Sequence, residues 1–265
     1  MSKFIDKLNQ VSKTVAQPMG FRAVSEVARR PKMQIVASVA ESDIDNMADY
    51  VDGADAVLLS IPKPGLGAET LKKISKVLTE IPWGGWLGGI AKGKIKQMME
   101  NGCDYVVFPA ADTSLGTPAG EEVGKILQID TSLSEGMLRT INQLPVDAVL
   151  VNAEKKGKQD LTWHQLMLFQ RIANMVSKPL LVPIPANTAA SELQVLWDAG
   201  VDGVVVETGA GKPAEELKKL RKVIDGLTFP ATRKHEKREA VLPRVDRDAG
   251  VVAELEEEEE EEEEE

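Results

Sequence analysis

The stretch "GVDGVVVETGAGKP" (residues 200–213) decides the fold, because its first half recurs three times along the chain. "GADAVLLS" occupies 53–60, "GCDYVVFP" 102–109 and "PVDAVLVN" 145–152. Each phrase runs Gly or Pro, a small or apolar residue, Asp, a variable position and three apolar residues. Runs this short and this rich in Val and Leu, closed by turn residues, read as buried strands. Four other strand candidates alternate with them: "MQIVASV" (33–39), "IPWGGWL" (81–87), "KILQID" (125–130) and "KPLLVPIP" (178–185).

Segments of helical period connect the strands: "DIDNMADYVDG", "AETLKKISKVLTE", "GKIKQMMENG", "SEGMLRTINQL", "TWHQLMLFQRIANMV", "ASELQVLWDAG" and "AEELKKLRKVIDG". Glycine follows several of them, where a helix ends. Strands alternating with helices imply parallel pairing through right-handed crossovers. The count of eight strands, with the phrase on every second one, predicts a (β/α)₈ TIM barrel over 31–226. A doubly wound open sheet is the competing arrangement.

Residues 1–30 precede the barrel. Phe4, Leu8, Val11 and Val15 fall on one face of a helix, which should cover the barrel bottom or a neighbouring subunit in a homo-oligomer. The last segment, 227–265, reads as a largely disordered tail. It carries the basic run "TRKHEKR" and then eleven glutamates, Glu254 and Glu256–Glu265. Those glutamates account for the formal charge of −10, so the body is near neutral and carries no general field for nucleic acid.

The single cysteine, Cys103, starts an apolar run and should be a buried thiol in a reducing compartment. With His164 and His235 the only histidines, metal centres built on His or Cys clusters are disfavoured. No apolar run approaches the roughly 20 residues that span a bilayer, and no signal peptide is evident, so the expected location is cytoplasmic and no membrane partner is expected.

In such barrels function sits at the C-terminal ends of the strands. The four phrases end on Ser60, Pro109, Asn152 and Glu207, which therefore share one face of their strands. Gln128 and Asp130 share a face of the fifth strand. An amide in mid-strand is costly against an apolar helix layer, so that face should point inward. Asp130 and Glu207 end apolar strands and are suited to acid–base chemistry or to a hard cation such as Mg²⁺. Asp112, Glu154 and Glu41 lie just past strand ends and read as caps or turns.

"ETGAGKPAEELKKL" offers an anion cradle: Gly209 and Gly211 free the backbone, Lys212 adds charge and Pro213 suits a first helical turn. "WGGWLGGIAKGK" (83–94) has two glycines inside a strand, which demand a close approach by another group. Trp86 could stack on a planar ligand or pack in the core, while Gly88, Gly89, Lys92 and Lys94 form a second candidate cradle. Lys63 and Gly65 belong to a flexible loop on the same face.

In position, the loop after strand eight resembles the anion site of the phosphate-binding (β/α)₈ barrels. The resemblance implies a phosphate held by Gly209, Gly211 and Lys212. Those barrels commonly carry a glycine-rich loop after strand seven; here that loop is "PIPANTAAS", without glycine. Other chemistries fall away. The aldolase-type barrels carry a Schiff-base lysine in strand six, and "DAVLVN" has none. No histidine suits a Ser–His–Asp triad, "GAGKP" is not a P-loop, and no dinucleotide fingerprint follows the first strand. The expectation is an enzyme acting on a small anionic metabolite, phosphate esters included, as a lyase, isomerase or transferase. Asp130 and Glu207 would be catalytic, with Ser60, Asn152, Trp86, Gly209, Gly211 and Lys212 binding substrate. The alternative is a non-catalytic scaffold whose acidic tail recruits a basic protein.

Overall fold

A computed structural model describes residues 2–12, 32–61, 67–88, 92–116, 122–152, 160–208 and 213–228. Eight parallel strands close into a barrel in chain order. They are β1 (Gln34–Val39), β2 (Ala56–Ser60), β3 (Trp83–Trp86), β4 (Tyr105–Pro109), β5 (Gly124–Asp130), β6 (Ala148–Asn152), β7 (Leu180–Ile184) and β8 (Gly203–Glu207). The repeated phrase thus lies on β2, β4, β6 and β8, and the open-sheet alternative is excluded by the β1–β8 pairing. A helix precedes β1 at Lys3–Ser12 (α1), and the crossovers carry α2 (Met47–Tyr50), α3 (Ala68–Val77), α4 (Lys92–Glu100), α5 (Glu135–Thr140), α6 (Trp163–Met175) and α7 (Ala190–Asp198). After β8 comes α8 (Pro213–Gly226). The first crossover departs from its helical pattern: Glu41–Asn46 is a 3₁₀ turn and only one α-turn follows.

Each part of the phrase has a structural duty. Gly53, Gly102 and Gly200 sit at φ of 97°, 86° and 92°, where a side chain would be strained, and turn the chain from helix to strand. The Asp then bridges to the start of the preceding strand. Asp55 donates its N–H to Ile35 O (2.9 Å) and accepts Ile35 N–H on Oδ2 (2.8 Å). Asp147 does the same with Lys125 (2.8 and 2.8 Å) and Asp202 with Leu180 (2.9 and 2.9 Å). Asp104 keeps the backbone bond to Trp83 O, but its carboxylate turns to α1.

That carboxylate caps α1, accepting Ser2 Oγ–H at 2.7 Å, Lys3 N–H at 2.8 Å and Phe4 N–H at 2.9 Å. Capping fixes the helix across the barrel bottom. Phe4, Ile5 and Leu8 there join the inner cluster of Val36, Ala56, Tyr105, Ile126, Ala148 and Val205. Phe4 meets the Tyr105 ring at 4.8 Å, and Tyr105 Oη–H is satisfied by Val57 O at 2.7 Å. Of the two coverings expected for this helix, the structure shows the barrel bottom. Val15 lies outside the described residues.

The alternate strand positions, among them Val57, Leu59, Val106, Val149, Val151, Val204 and Val206, face outward into the larger core under the helices. The glycine pair in β3 is explained by this two-sided packing. A methyl group on Gly84 would lie 2.4 Å from the Tyr105 ring, and one on Gly85 would lie 2.3 Å from Ile61.

Cys103 is buried, and desolvation pushes its thiol up to about 12. It stays protonated at neutral pH and hidden from reagents. A thiol-specific chromogenic disulfide should therefore label Cys103 only at the rate of unfolding, and immediate labelling of the native protein would contradict the packing.

Candidate functional site at the barrel mouth

The period of two that brings Ala56 and Leu58 into the barrel interior also places Ser60 on that face. By the same alternation Asn152 follows Ala148 and Leu150, and Glu207 follows Gly203 and Val205. Gln128 and Asp130 follow Ile126. All five are in the C-terminal halves of their strands, where the strand-ending Ser60, Asp130, Asn152 and Glu207 are exposed and Gln128, one inward position earlier, is half-buried.

Strand register sets their neighbours. Ser60 pairs with Trp86, Pro109 with Gln128, Asp130 with Asn152, and Ser38 with Glu207. One row of hydrogen bonds crosses this rim. Trp86 Nε1–H donates to Gln128 Oε1 at 2.7 Å, Gln128 Nε2 to Asn152 Oδ1 at 3.4 Å, and Asn152 Nδ2 to Asp130 Oδ1 at 3.5 Å. Trp86 is half-buried, packs on the inner cluster, and crowds Gly88 so closely that a methyl group there would fall 2.2 Å from its ring. It is therefore both core residue and wall of the mouth.

Glu207 stands across the mouth on β8, separated from β5 by β6 and β7. Next to it Thr208 donates both its N–H and its hydroxyl to Ser38 O, each at 2.9 Å, which fixes the exit from β8. Gly209, Gly211 and Lys212 lie outside the described residues, as do Lys63, Gly65, Gly89, Glu154 and 229–265; the side chains of Glu41, Lys92 and Lys94 do too. At the start of α7 a carboxylate is built in, since Glu192 Oε2 accepts Ala189 N–H at 2.7 Å. A phosphate there would face that charge. The first turn of α8 carries Glu215 and Glu216.

Two residues of this site were not assigned a role from the sequence. Gln128 links Trp86 to Asn152; its signal was an amide flanked by Leu127 and Ile129 in mid-strand. Arg171 on α6 donates from Nη2 to Thr131 O at 2.6 Å and Leu133 O at 3.2 Å, holding the loop that directly follows Asp130. Nothing in the helical pattern of α6 marks that reach. Among the described residues no three His, Cys, Asp or Glu side chains stand close enough to share a metal ion, and no helix is long and apolar enough to cross a membrane.

No protein-family model matches the sequence, and no curated protein matches it. Solved structures do. The α subunit of tryptophan synthase from the hyperthermophile Pyrococcus furiosus superposes with a TM-score of 0.59 at 12% identity, covering 74% of this chain and 99% of that one. A mutant of the same subunit gives 0.57 at 13% identity, with the same coverage. This likeness is one of fold. The barrel superposes over nearly the whole length of that subunit.

Proposed function

We propose that the chain is a barrel enzyme acting on a small anionic, phosphorylated metabolite bound at the C-terminal mouth. The observation that carries this reading is the row from Trp86 through Gln128 and Asn152 to Asp130: polar groups gathered at the rim where such barrels do their chemistry. The similarity in fold to tryptophan synthase α subunits agrees with it. Asp130 and Glu207 serve as acid–base groups on opposite sides of the bound substrate. Asn152 and Ser60 orient it, Trp86 walls it, and Gly209, Gly211 and Lys212 hold the anion at the start of α8.

Inorganic phosphate tests the anion half. A ligand that binds only the folded state at about 100 times its Kd stabilises it by roughly 2.7 kcal/mol. For a barrel of this size that is a rise in Tm of roughly 5–10 °C. The rise should shrink in Lys212→Ala and shrink further in Gly211→Val. Equal stabilisation of all three proteins would place the anion elsewhere.

A further inference from the structure

The row across the mouth has a direction, and the direction points to the kind of ligand it takes. An indole N–H can only donate, and an ionised carboxylate can only accept. Trp86 at one end and Asp130 at the other therefore fix both amides between them: Gln128 presents Oε1 to Trp86 and Nε2 to Asn152, and Asn152 presents Nδ2 to Asp130. With both amides so oriented, each keeps one N–H and one oxygen lone pair unspent along the row. Asp130 keeps its second carboxylate oxygen.

The three links are unequal. The first, at 2.7 Å, is short and lies at the packed end beside Trp86. The two that flank Asn152, at 3.4 and 3.5 Å, are at the long limit of a hydrogen bond. Those two links are also at the exposed end, since Asn152 and Asp130 both face solvent at the strand ends. A donor and an acceptor held side by side, each with capacity left, are matched by a group that does both. A hydroxyl is such a group; a phosphate oxygen or a carbonyl only accepts, and an apolar ring does neither.

We propose that the row is a hydroxyl-reading subsite: it binds the uncharged end of the substrate through neighbouring hydroxyl groups, with Gln128 as the specificity-determining residue. This rests on the reading of the mouth as the binding site and adds the class of the ligand's other end, a polyhydroxylated carbon chain or ring. Two adjacent hydroxyls lodge against Asn152, one toward Gln128 and one toward Asp130. Each accepts from an amide N–H and donates to the neighbouring oxygen. The apolar carbon face of the ligand lies toward Trp86, whose ring is held by Gly88 and the inner cluster.

Three probes separate this from the anion site: inorganic phosphate, phenyl phosphate and ribose 5-phosphate. Binding is read from tryptophan emission in a Trp163→Phe background, because Trp163 is 79% exposed on α6 and Trp83 and Trp197 are buried, leaving Trp86 as the reporter. Ribose 5-phosphate should bind at least ten-fold more tightly than phenyl phosphate. Gln128→Leu should erase that preference while leaving the affinity for inorganic phosphate within two-fold. Asn152→Leu is the second variant, chosen because its exposed side chain can change with little cost to folding. A preference for ribose 5-phosphate that Gln128→Leu erases upholds the row even if inorganic phosphate does not bind alone, in which case only the anion reading fails. Equal binding of the two esters, a preference untouched in both leucine variants, or no response to any probe overturns the proposal.

Discussion

Removal of residues 1–12 should leave a chain that no longer folds cooperatively. Phe4, Ile5, Leu8 and Val11 are each at most 6% exposed; with the first three α1 closes one end of the barrel, and Val11 packs into the outer core. Burying each such side chain contributes about 1.5–3 kcal/mol, and together they rival the roughly 5–15 kcal/mol that separates folded from unfolded domains. Truncation would also strip the Asp104 carboxylate of three donors and open Tyr105 to water. The truncated chain should lose its near-ultraviolet circular dichroism and melt without a sharp transition. Phe4→Ala, at about 3–5 kcal/mol, should fall between the two. A truncated protein that melts within a few degrees of the full chain would mean that α1 only rests on the barrel.

The second large effect belongs to Asp55→Ala. Here the repeated Asp does more than bridge two strands: its Oδ2 also takes Arg221 Nη1 at 2.7 Å, with both side chains 23% exposed. The guanidinium reaches on to Asp225 and Met33 O, tying α8 to the bottom of β1 and β2. Losing Asp55 leaves Arg221 with only one carboxylate, that of the exposed Asp225, and leaves Ile35 N–H without its acceptor. Charge-assisted bonds of this kind are worth about 1.5–3 kcal/mol each, so the loss should be about 3 kcal/mol. Asp147→Ala, which forfeits a more exposed bond to Lys125 N–H, should cost about 1 kcal/mol. Thermal melts of the two variants side by side check the difference; equal losses would show that Arg221 adds nothing to the phrase's common duty.

These residues show what the sequence made legible and what it did not. The phrase announced four of the eight strands because its Gly or Pro, Asp and apolar triplet sit in fixed order, and order along one strand is a local property. The duty of the Asp was not legible, because its partner is a backbone N–H in the strand before, about twenty residues away. The same limit applies at the mouth. Alternation alone brings Ser60, Asp130, Asn152 and Glu207 to the rim, so their shared face could be read from spacing. That Gln128 joins Trp86 to Asn152 depends on the register of β3, β5 and β6 around a closed barrel, which no single segment encodes. Arg171 was silent for the same reason: it acts on a loop about forty residues earlier in the chain. The first crossover shows the opposite failure, a helical period that delivers only a 3₁₀ turn and one α-turn.

The seating of α1 has a consequence for how the chain is made. Ser2, Lys3 and Phe4 leave the ribosome well before their hydrogen-bonding partner, Asp104, which is synthesised about a hundred residues later. The walls of their socket come later still, with Ile126, Ala148, Leu181 and Val205. At 5–20 residues per second, ~10 s or more pass before that socket is complete. Through that interval a helix with Phe4, Ile5 and Leu8 on its apolar face waits without a home. Helix α1 is thus among the last parts to settle, and the nascent protein depends on whatever shelters those three side chains until the barrel closes over them.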